Sequence, residues 1–254
     1  MATPGRALES PRIAIVLPVH NEADSIERTL REIAEWAEGR RAEMFVFEDG
    51  STDGTKEILA DLARSMPSLY VVLADHRKGY PRAVRDALLA IPADRFDLVL
   101  FADSDGQYDF RDADLLVRAM AEGDSDMIAG RRMQRREPIY RRGPSQILRV
   151  LERIFFGVQD GDVTSAFRLM RIECARRIAQ EVRHSRYNFW LEFTARARRH
   201  RVRGREVDVR YRQRAGITKV YPIERMPFVV GSEFLALLRT RRDFSRAERA
   251  GSAG

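Results

Sequence analysis

A chain of 254 residues suffices for one large α/β domain or two small ones with a sizeable buried core, and nothing in its composition suggests disorder. No stretch approaches the ~18 consecutive apolar residues of a spanning helix, and Met1 to Pro11 lacks the apolar core of a signal peptide, so the expected location is cytoplasmic, with peripheral contact on the cytoplasmic face of a membrane as an option. A single cysteine, Cys174, excludes an internal disulfide framework and a cysteine-based zinc site and reads as a small buried apolar residue.

The net charge of +7 conceals two opposed halves. Residues 1–125 carry 15 basic and 24 acidic side chains, a balance of −9, and residues 126–254 carry 30 and 14, a balance of +16. Lys56, Lys78 and Lys219 are the only lysines, so the basic half is built on arginine, whose planar fork suits phosphate. Such a half can face nucleic acid, anionic lipid headgroups or a phosphorylated substrate.

In chain order, Ile13 to Pro18 is a short apolar run of β-branched character, and Asn21-Glu22-Ala23-Asp24 leads into a helical pattern through Ile26, Leu30, Ile33 and Ala34. Strand, loop and helix then recur. Met44 to Phe47 is a strand, 49–54 a turn, and a helix follows through Ile58, Leu59 and Leu62. Leu69 to Leu73 reads as a third strand, Pro81 to Ile91 as a third helix, Asp97 to Ala102 as a fourth strand and Leu115 to Met120 as a fourth helix. This alternation predicts an α/β fold with a mostly parallel central sheet flanked by helices, whose ligands bind beyond the carboxyl ends of the strands. His20-Asn21-Glu22, Glu48-Asp49-Gly50 and Asp103-Ser104-Asp105 should therefore converge on one crevice.

Beyond a strand from Asp126 to Ala129, six arginines at 131, 132, 135, 136, 141 and 142 crowd a stretch read as loop. Helices at 147–156 and 186–199 flank a strand around 165–170, and 202–212 alternates as a last strand. The expected organisation is a flexible segment 1–11, a catalytic domain 12–222 with halves 12–125 and 126–222, and a C-terminal amphipathic helix and polar tail over 223–254, frayed from Arg239 onward.

The chemistry centres on Asp103 and Asp105, two carboxylates one residue apart after the apolar run Leu98-Val99-Leu100-Phe101. At a strand end they can converge on one hard divalent cation, Mg²⁺ or Mn²⁺, with Gly106 letting the backbone bend beside it. Asp-Ser-Asp-Gly also reads as a simple set of turn formers.

With Val16-Leu17-Pro18-Val19-His20-Asn21-Glu22, Phe47-Glu48-Asp49-Gly50-Ser51-Thr52-Asp53-Gly54-Thr55, Asp103-Ser104-Asp105-Gly106-Gln107, Gly130-Arg131, Thr164-Ser165-Ala166-Phe167-Arg168-Leu169 and Arg214-Ala215-Gly216-Ile217-Thr218-Lys219 in this order, residues 12–222 resemble the family 2 glycosyltransferases of GT-A fold, the nucleotide-diphospho-sugar transferase fold. The likeness is nearest to the polyprenyl-phosphate or dolichol-phosphate mannose or glucose synthases. It implies an inverting, metal-dependent transfer of a single sugar from a nucleotide-sugar donor, of GDP-mannose, UDP-glucose or UDP-GlcNAc type, to a polyprenyl phosphate.

The same resemblance assigns roles. Pro18, Val19, Asn21, Glu22, Asp49 and Asp103 would bind the nucleotide, Asp49 through a base N–H, and Asp103, Asp105 and Gln107 would form the metal site. Arg131, Arg142, Ser145, Arg168, Arg214 and Lys219 would hold the acceptor phosphate, and Asp105, Gln107 and Arg131 would take part directly in catalysis. Asp53 reads instead as a helix cap, and Glu22 equally as an acid favourable to a helix N-terminus. A polyprenyl phosphate is already ionised and needs no general base. Transfer to a hydroxyl, the alternative, would need one, and Glu192 is its candidate. Nucleic-acid binding would explain the arginines but leaves the acidic pair and Asp49 without a task, so no nucleic-acid partner is expected. A sugar-nucleotide sensor without activity is a third reading. Phe155, Phe156 and Val158, with the stretch 227–238 between Arg225 and Arg239, either meet an anionic membrane or pack internally, the two phenylalanines against the sheet.

Overall fold

The computed structural model describes residues 10–133, 139–157, 161, 162, 164–212 and 225–251, with the side chains of 139–146, 149, 226, 250 and 251 outside the description. Seven strands form one sheet: β1 (Ile13–Val19), β2 (Ala42–Glu48), β3 (Leu69–Val72), β4 (Leu98–Phe101), β5 (Met127–Arg132), β6 (Arg168–Arg171) and β7 (Gly204–Val209). Their order is β3-β2-β1-β4-β6-β5-β7, parallel throughout except that β6 runs antiparallel to both β4 and β5. The mostly parallel sheet expected from the alternation is present.

β1 and β4 are buried at every residue, which follows from helices on both faces of a parallel sheet and explains their unbroken apolar sequences. The helices are α1 (Ile26–Ala37), α2 (Thr55–Ser65), α3 (Tyr80–Ala90), α4 (Ala113–Ala121), α5 (Ile139–Phe156), α6 (Ile172–Glu181), α7 (Phe189–Arg199) and α8 (Met226–Gly251). One core cluster runs from β1 through α1, α3, α4 and α6 to α7. A small second cluster joins Leu148 of α5 to Leu191 of α7, with Leu151 and Val230 of α8 packed on it.

Four boundaries differ from the sequence reading, each for a local reason. The arginine-rich stretch is not one loop: Arg131 and Arg132 extend β5 by pairing with Asp208 and Val209, and Arg141 and Arg142 lie in α5. The seventh helix starts at Phe189 rather than Arg186, because Glu192 and Glu233 take the backbone N–H groups of residues 183–187 and Asn188 caps the helix by accepting from Trp190 N at 3.1 Å. α6 went unread because Arg171 ends β6 and caps the helix without an intervening turn. The tail is helical to Gly251, with Asp243 of α8 bonded to Arg183, His184 and Arg196.

Phe155 and Phe156 pack on α8 through Phe234 and Phe244, not on the sheet. Cys174 is buried as expected, and burial pushes its thiol up to about 11. Val158 lies outside the described residues.

Candidate active site

The chain order reverses at β1, which has β2 on one side and β4 on the other, so the loops after these three strands open on one crevice. Hydrogen bonds between loops fix them there. Asn21, at φ +55, donates its N–H to Ser51 Oγ at 2.9 Å and accepts from Thr52 N at 2.8 Å, while Glu22 N donates to Thr55 Oγ1 at 2.9 Å. Asp53 accepts from Thr55 N and Oγ1 at 3.2 and 2.5 Å and from Ala23 N at 3.3 Å, so the expected cap also ties two loops together. Glu22 Oε2 accepts from Ser25 Oγ at 2.9 Å at the entrance to α1.

Asp49 is 4% exposed and accepts from two backbone donors, Lys78 N at 2.6 Å and Gly79 N at 2.9 Å. Each such bond to an ionised carboxylate is worth ~1.5–3 kcal/mol, so Asp49 fixes the start of α3 whatever else it binds. Glycine is required at 50: φ is +68, and a Cβ would lie 2.4 Å from Arg77 N. The segment ahead of α3 can thus lie directly against the β2 loop. Glu48, beside Asp49, is buried too and accepts from Ser51 N and from Ala74 N, the latter at 3.3 Å.

On the β4 loop, Ser104 is buried and donates to Pro18 O at 2.9 Å, which leaves Asp103 and Asp105 half-buried on either side of it. Asp103 Oδ1 accepts from the Tyr80 hydroxyl at 2.8 Å, and Asp105 Oδ1 from Gln107 N at 3.1 Å. Gly106 makes the bend at φ +68. Gln107 turns towards the β7 end: its side-chain amide donates to Arg212 O at 3.2 Å and its carbonyl accepts from Arg212 N at 2.7 Å. Across from this loop, burial, Tyr108 and the charge of Asp105 all push the Tyr211 phenol up.

The alternation of β5 separates its two arginines. Arg131 forms a fork with Asp208, its partner in register, at 2.6 and 3.0 Å, with the two side chains 54% and 44% exposed. Arg132 turns the other way, onto Asp162 and Thr164 at 2.5 to 2.7 Å, and lies 5.2 Å above the Tyr211 ring. It is therefore Arg132, at 9% side-chain exposure, that meets the Tyr211 ring, whose phenol also feels the charge of Asp105. Sequence reading chose Arg131; counting the strand's period of two from Ile128 separates the two arginines.

Arg168 is enclosed rather than open to an acceptor. At 1% exposure it donates to Ser165 O and Thr194 Oγ1 and lies 4.7 Å above the Trp190 ring, and burial lowers its guanidinium to about 10. The side chains of Arg142 and Ser145 on α5, and Arg214 and Lys219 altogether, fall outside the described residues.

Glu192, the candidate base, is 0% exposed. It accepts from the N–H groups of Arg183, His184 and Ser185 at 2.7 to 3.2 Å and from the Arg196 guanidinium at 2.6 and 2.8 Å. Its lone pairs are committed to the turn before α7.

Residues 14–179 match the model of glycosyl transferase family 2. The chain belongs to this family. It is 30% identical to glycosyltransferase AglD of Haloferax volcanii over 82% of this chain and 34% of that protein. It is 30% identical over 63% of its length to an undecaprenyl-phosphate 4-deoxy-4-formamido-L-arabinose transferase of Pseudomonas aeruginosa, covering 47% of that enzyme. The family 2 chain thus spans between a third and a half of these relatives. Among solved structures, glucosyl-3-phosphoglycerate synthase of Mycobacterium tuberculosis with Mn²⁺, UDP-glucose and phosphoglyceric acid matches with a TM-score of 0.66 at 19% identity, over 91% of this chain and 80% of that one. The fold is GT-A, and residues 14–179 carry the family 2 glycosyltransferase domain on it.

Two half-buried carboxylates at a strand end are a hard oxygen set that suits Mg²⁺ or Mn²⁺, ions held by one or two carboxylates together with substrate phosphates. Among the described residues there is no group of three or more His, Cys, Asp or Glu side chains placed to hold a metal. The Asp103–Asp105 pair fits such an ion by the chemistry of its donors, with Gln107 on the same loop.

Proposed function

We propose that the chain is an inverting transferase that moves one sugar from a nucleotide-sugar donor to a polyprenyl phosphate with Mg²⁺ or Mn²⁺. The observation that carries this reading is the enclosure of Glu192. A hydroxyl acceptor needs a base, and the candidate in α7 has its lone pairs occupied. A phosphate monoester is an anion before it binds and needs none. The name of the Pseudomonas aeruginosa relative, a transferase to undecaprenyl phosphate, agrees with such an acceptor.

In this reading the loops after β1 and β2 receive the nucleoside, with Pro18, Val19, Asn21 and Glu22 along the wall and Asp49 beneath the base. Asp103 and Asp105, with Gln107 beside them, hold the cation, which when bound offsets the charge on the departing diphosphate. Arg132, across Tyr211 from the acidic loop, takes the acceptor phosphate by exchanging part of its fork to Asp162. Arg142, Ser145, Arg214 and Lys219 remain candidates for the same phosphate, and the Arg131 fork with Asp208 is exposed enough to open at a cost of about 1 kcal/mol or less. The fixed Arg132 side chain would set the phosphate oxygen in line with the anomeric carbon, and direct displacement there inverts the configuration.

Surface chemistry supports contact with an anionic membrane. Ile147, Val150 and Ile154 form an exposed stripe on α5, and Phe228 and Leu235 are exposed on α8, which also carries exposed Arg239. No helix among the described residues is long and apolar enough to cross a bilayer.

The test is incubation of the purified chain with labelled UDP- and GDP-sugars and a short polyprenyl phosphate, with Mn²⁺ or with EDTA. A lipid-linked sugar formed from one donor, and abolished by EDTA, is expected. Transfer to a hydroxyl acceptor that Glu192→Gln eliminates, with no lipid product, would overturn the reading.

A further inference from the structure

Asp103 is held by a relay that begins in the other half of the chain. Trp190 Nε1 donates to the Tyr80 hydroxyl at 3.1 Å, and that hydroxyl donates to Asp103 Oδ1 at 2.8 Å. The direction is forced, because an indole N–H can only donate. The phenol oxygen accepts, and its single proton is directed onto the carboxylate.

Both ends of the relay are anchored. Trp190 is 1% exposed, and its ring meets Phe101, Phe189 and Phe193 edge-on at 4.8, 5.1 and 5.2 Å. The Arg168 guanidinium lies above it at 4.7 Å, which gives that enclosed arginine a task away from any acceptor. Tyr80 is the first residue of α3, whose start is fixed by the bonds from Lys78 N and Gly79 N to Asp49. The hydroxyl therefore reaches Asp103 from a helix that the nucleoside loop itself holds in place.

We infer that Tyr80 is a positioning residue for the divalent-cation site, with Trp190 fixing the direction of its hydroxyl. The relay keeps the Asp103 carboxylate in one orientation, so the cation and the donor diphosphate meet a ligand that needs no reordering. The inference rests on the reading of Asp103 and Asp105 as ligands of the cation. Partners of ligating groups typically change metal affinity by about 10- to 100-fold when removed, and a phenylalanine at 80 deletes the hydroxyl while keeping the ring in place.

The experiment is a Mn²⁺ titration of the full chain without any nucleotide, free Mn²⁺ being followed by electron paramagnetic resonance. It compares the unaltered chain with Tyr80→Phe, Trp190→Phe and Asp105→Ala, alongside thermal melts and UDP binding in EDTA. Tyr80→Phe should weaken Mn²⁺ about 10-fold, leave a single cooperative melt, and keep metal-free UDP affinity within about twofold. Trp190→Phe, which keeps an aromatic ring but loses the N–H, should weaken Mn²⁺ in the same direction and by less. Unchanged Mn²⁺ affinity in Tyr80→Phe, with affinity lost in Asp105→Ala, overturns the inference alone. An equal fall in Mn²⁺ and metal-free UDP affinity in Tyr80→Phe also overturns it, since that marks a general disturbance of the crevice. Mn²⁺ affinity retained in Asp105→Ala overturns the metal-site reading and the inference with it.

Discussion

Four carboxylates at the strand ends of the acidic half and the arginines of the basic half are held in different ways. In the first half, the carboxylates at the strand ends are positioned by neutral donors: Asp49 by two backbone N–H groups, Asp53 by a hydroxyl and two N–H groups, Asp103 by a phenol and Asp105 by an N–H. These donors orient the groups and carry no charge of their own. In the second half, arginines are paired with carboxylates of the chain itself: Arg131 with Asp208, Arg132 with Asp162, Arg196 with Glu192, Arg203 with Asp126, Arg210 with Asp112 and Arg212 with Glu32. A balance of +16 in the sequence is therefore no measure of the positive charge offered to a substrate. The fixed negative charge sits where a cation is expected, while Arg131 and Arg132 offer positive charge only when their pairs open.

Breaking the acidic side should have the largest effect. Asp105→Ala should lower kcat/KM about 10³-fold, roughly 4 kcal/mol of transition-state stabilisation, measured with saturating Mn²⁺ and the active donor. A loss under tenfold would remove the carboxylate from the cation site.

The two neighbouring arginines give the next contrast. Arg132→Lys should cost about 10²-fold in kcat/KM for the acceptor, because a lysine cannot reproduce the planar fork, whereas Arg131→Ala should cost less than about threefold. The reverse ranking would place the acceptor on the other face of β5.

Glu192→Gln tests whether a carboxylate in the basic half works on the fold or on the substrate. It keeps the shape but removes the charge that Arg196 and three N–H groups face. It should lower unfolding free energy by about 2–4 kcal/mol in denaturant titration and leave kcat of the folded fraction within about twofold.

The smallest effect is a pH response of the pairs that join the halves. Asp109 is held below the usual carboxylate range by the Arg111 hydrogen bond, against opposition from burial, and by the charges of Arg212 and Arg210. A depressed folded-state pKa adds stability that is present in full above the unfolded value of about 4 and disappears as pH falls through the folded one. Stability should therefore decline below pH ~4, and Asp109→Asn should flatten that decline in melts taken from pH 5 downward.

Much of the first half was legible from the sequence because local signals agree there. Apolar runs, turn residues and amphipathic helices alternate, and the chain reversal at β1 brings the three loops together. The Asp103–Asp105 pair stood out for the same reason. Arg131 and Arg132 look alike in the sequence until the strand's register assigns them to opposite faces. The enclosure of Arg168 and Glu192 has no local signal, because burial depends on distant packing, of Trp190 in one case and of the 183–187 turn in the other. The Trp190–Tyr80–Asp103 relay had no sequence signal at all, since its members lie 110 and 23 residues apart and meet only in three dimensions.

The most direct test of the division of labour is a pair of KM measurements on Arg132→Lys, one varying the nucleotide sugar and one varying the polyprenyl phosphate. The account predicts that KM for the lipid phosphate rises at least tenfold while KM for the donor stays within about twofold. A donor KM that rises as much as the acceptor KM would contradict it.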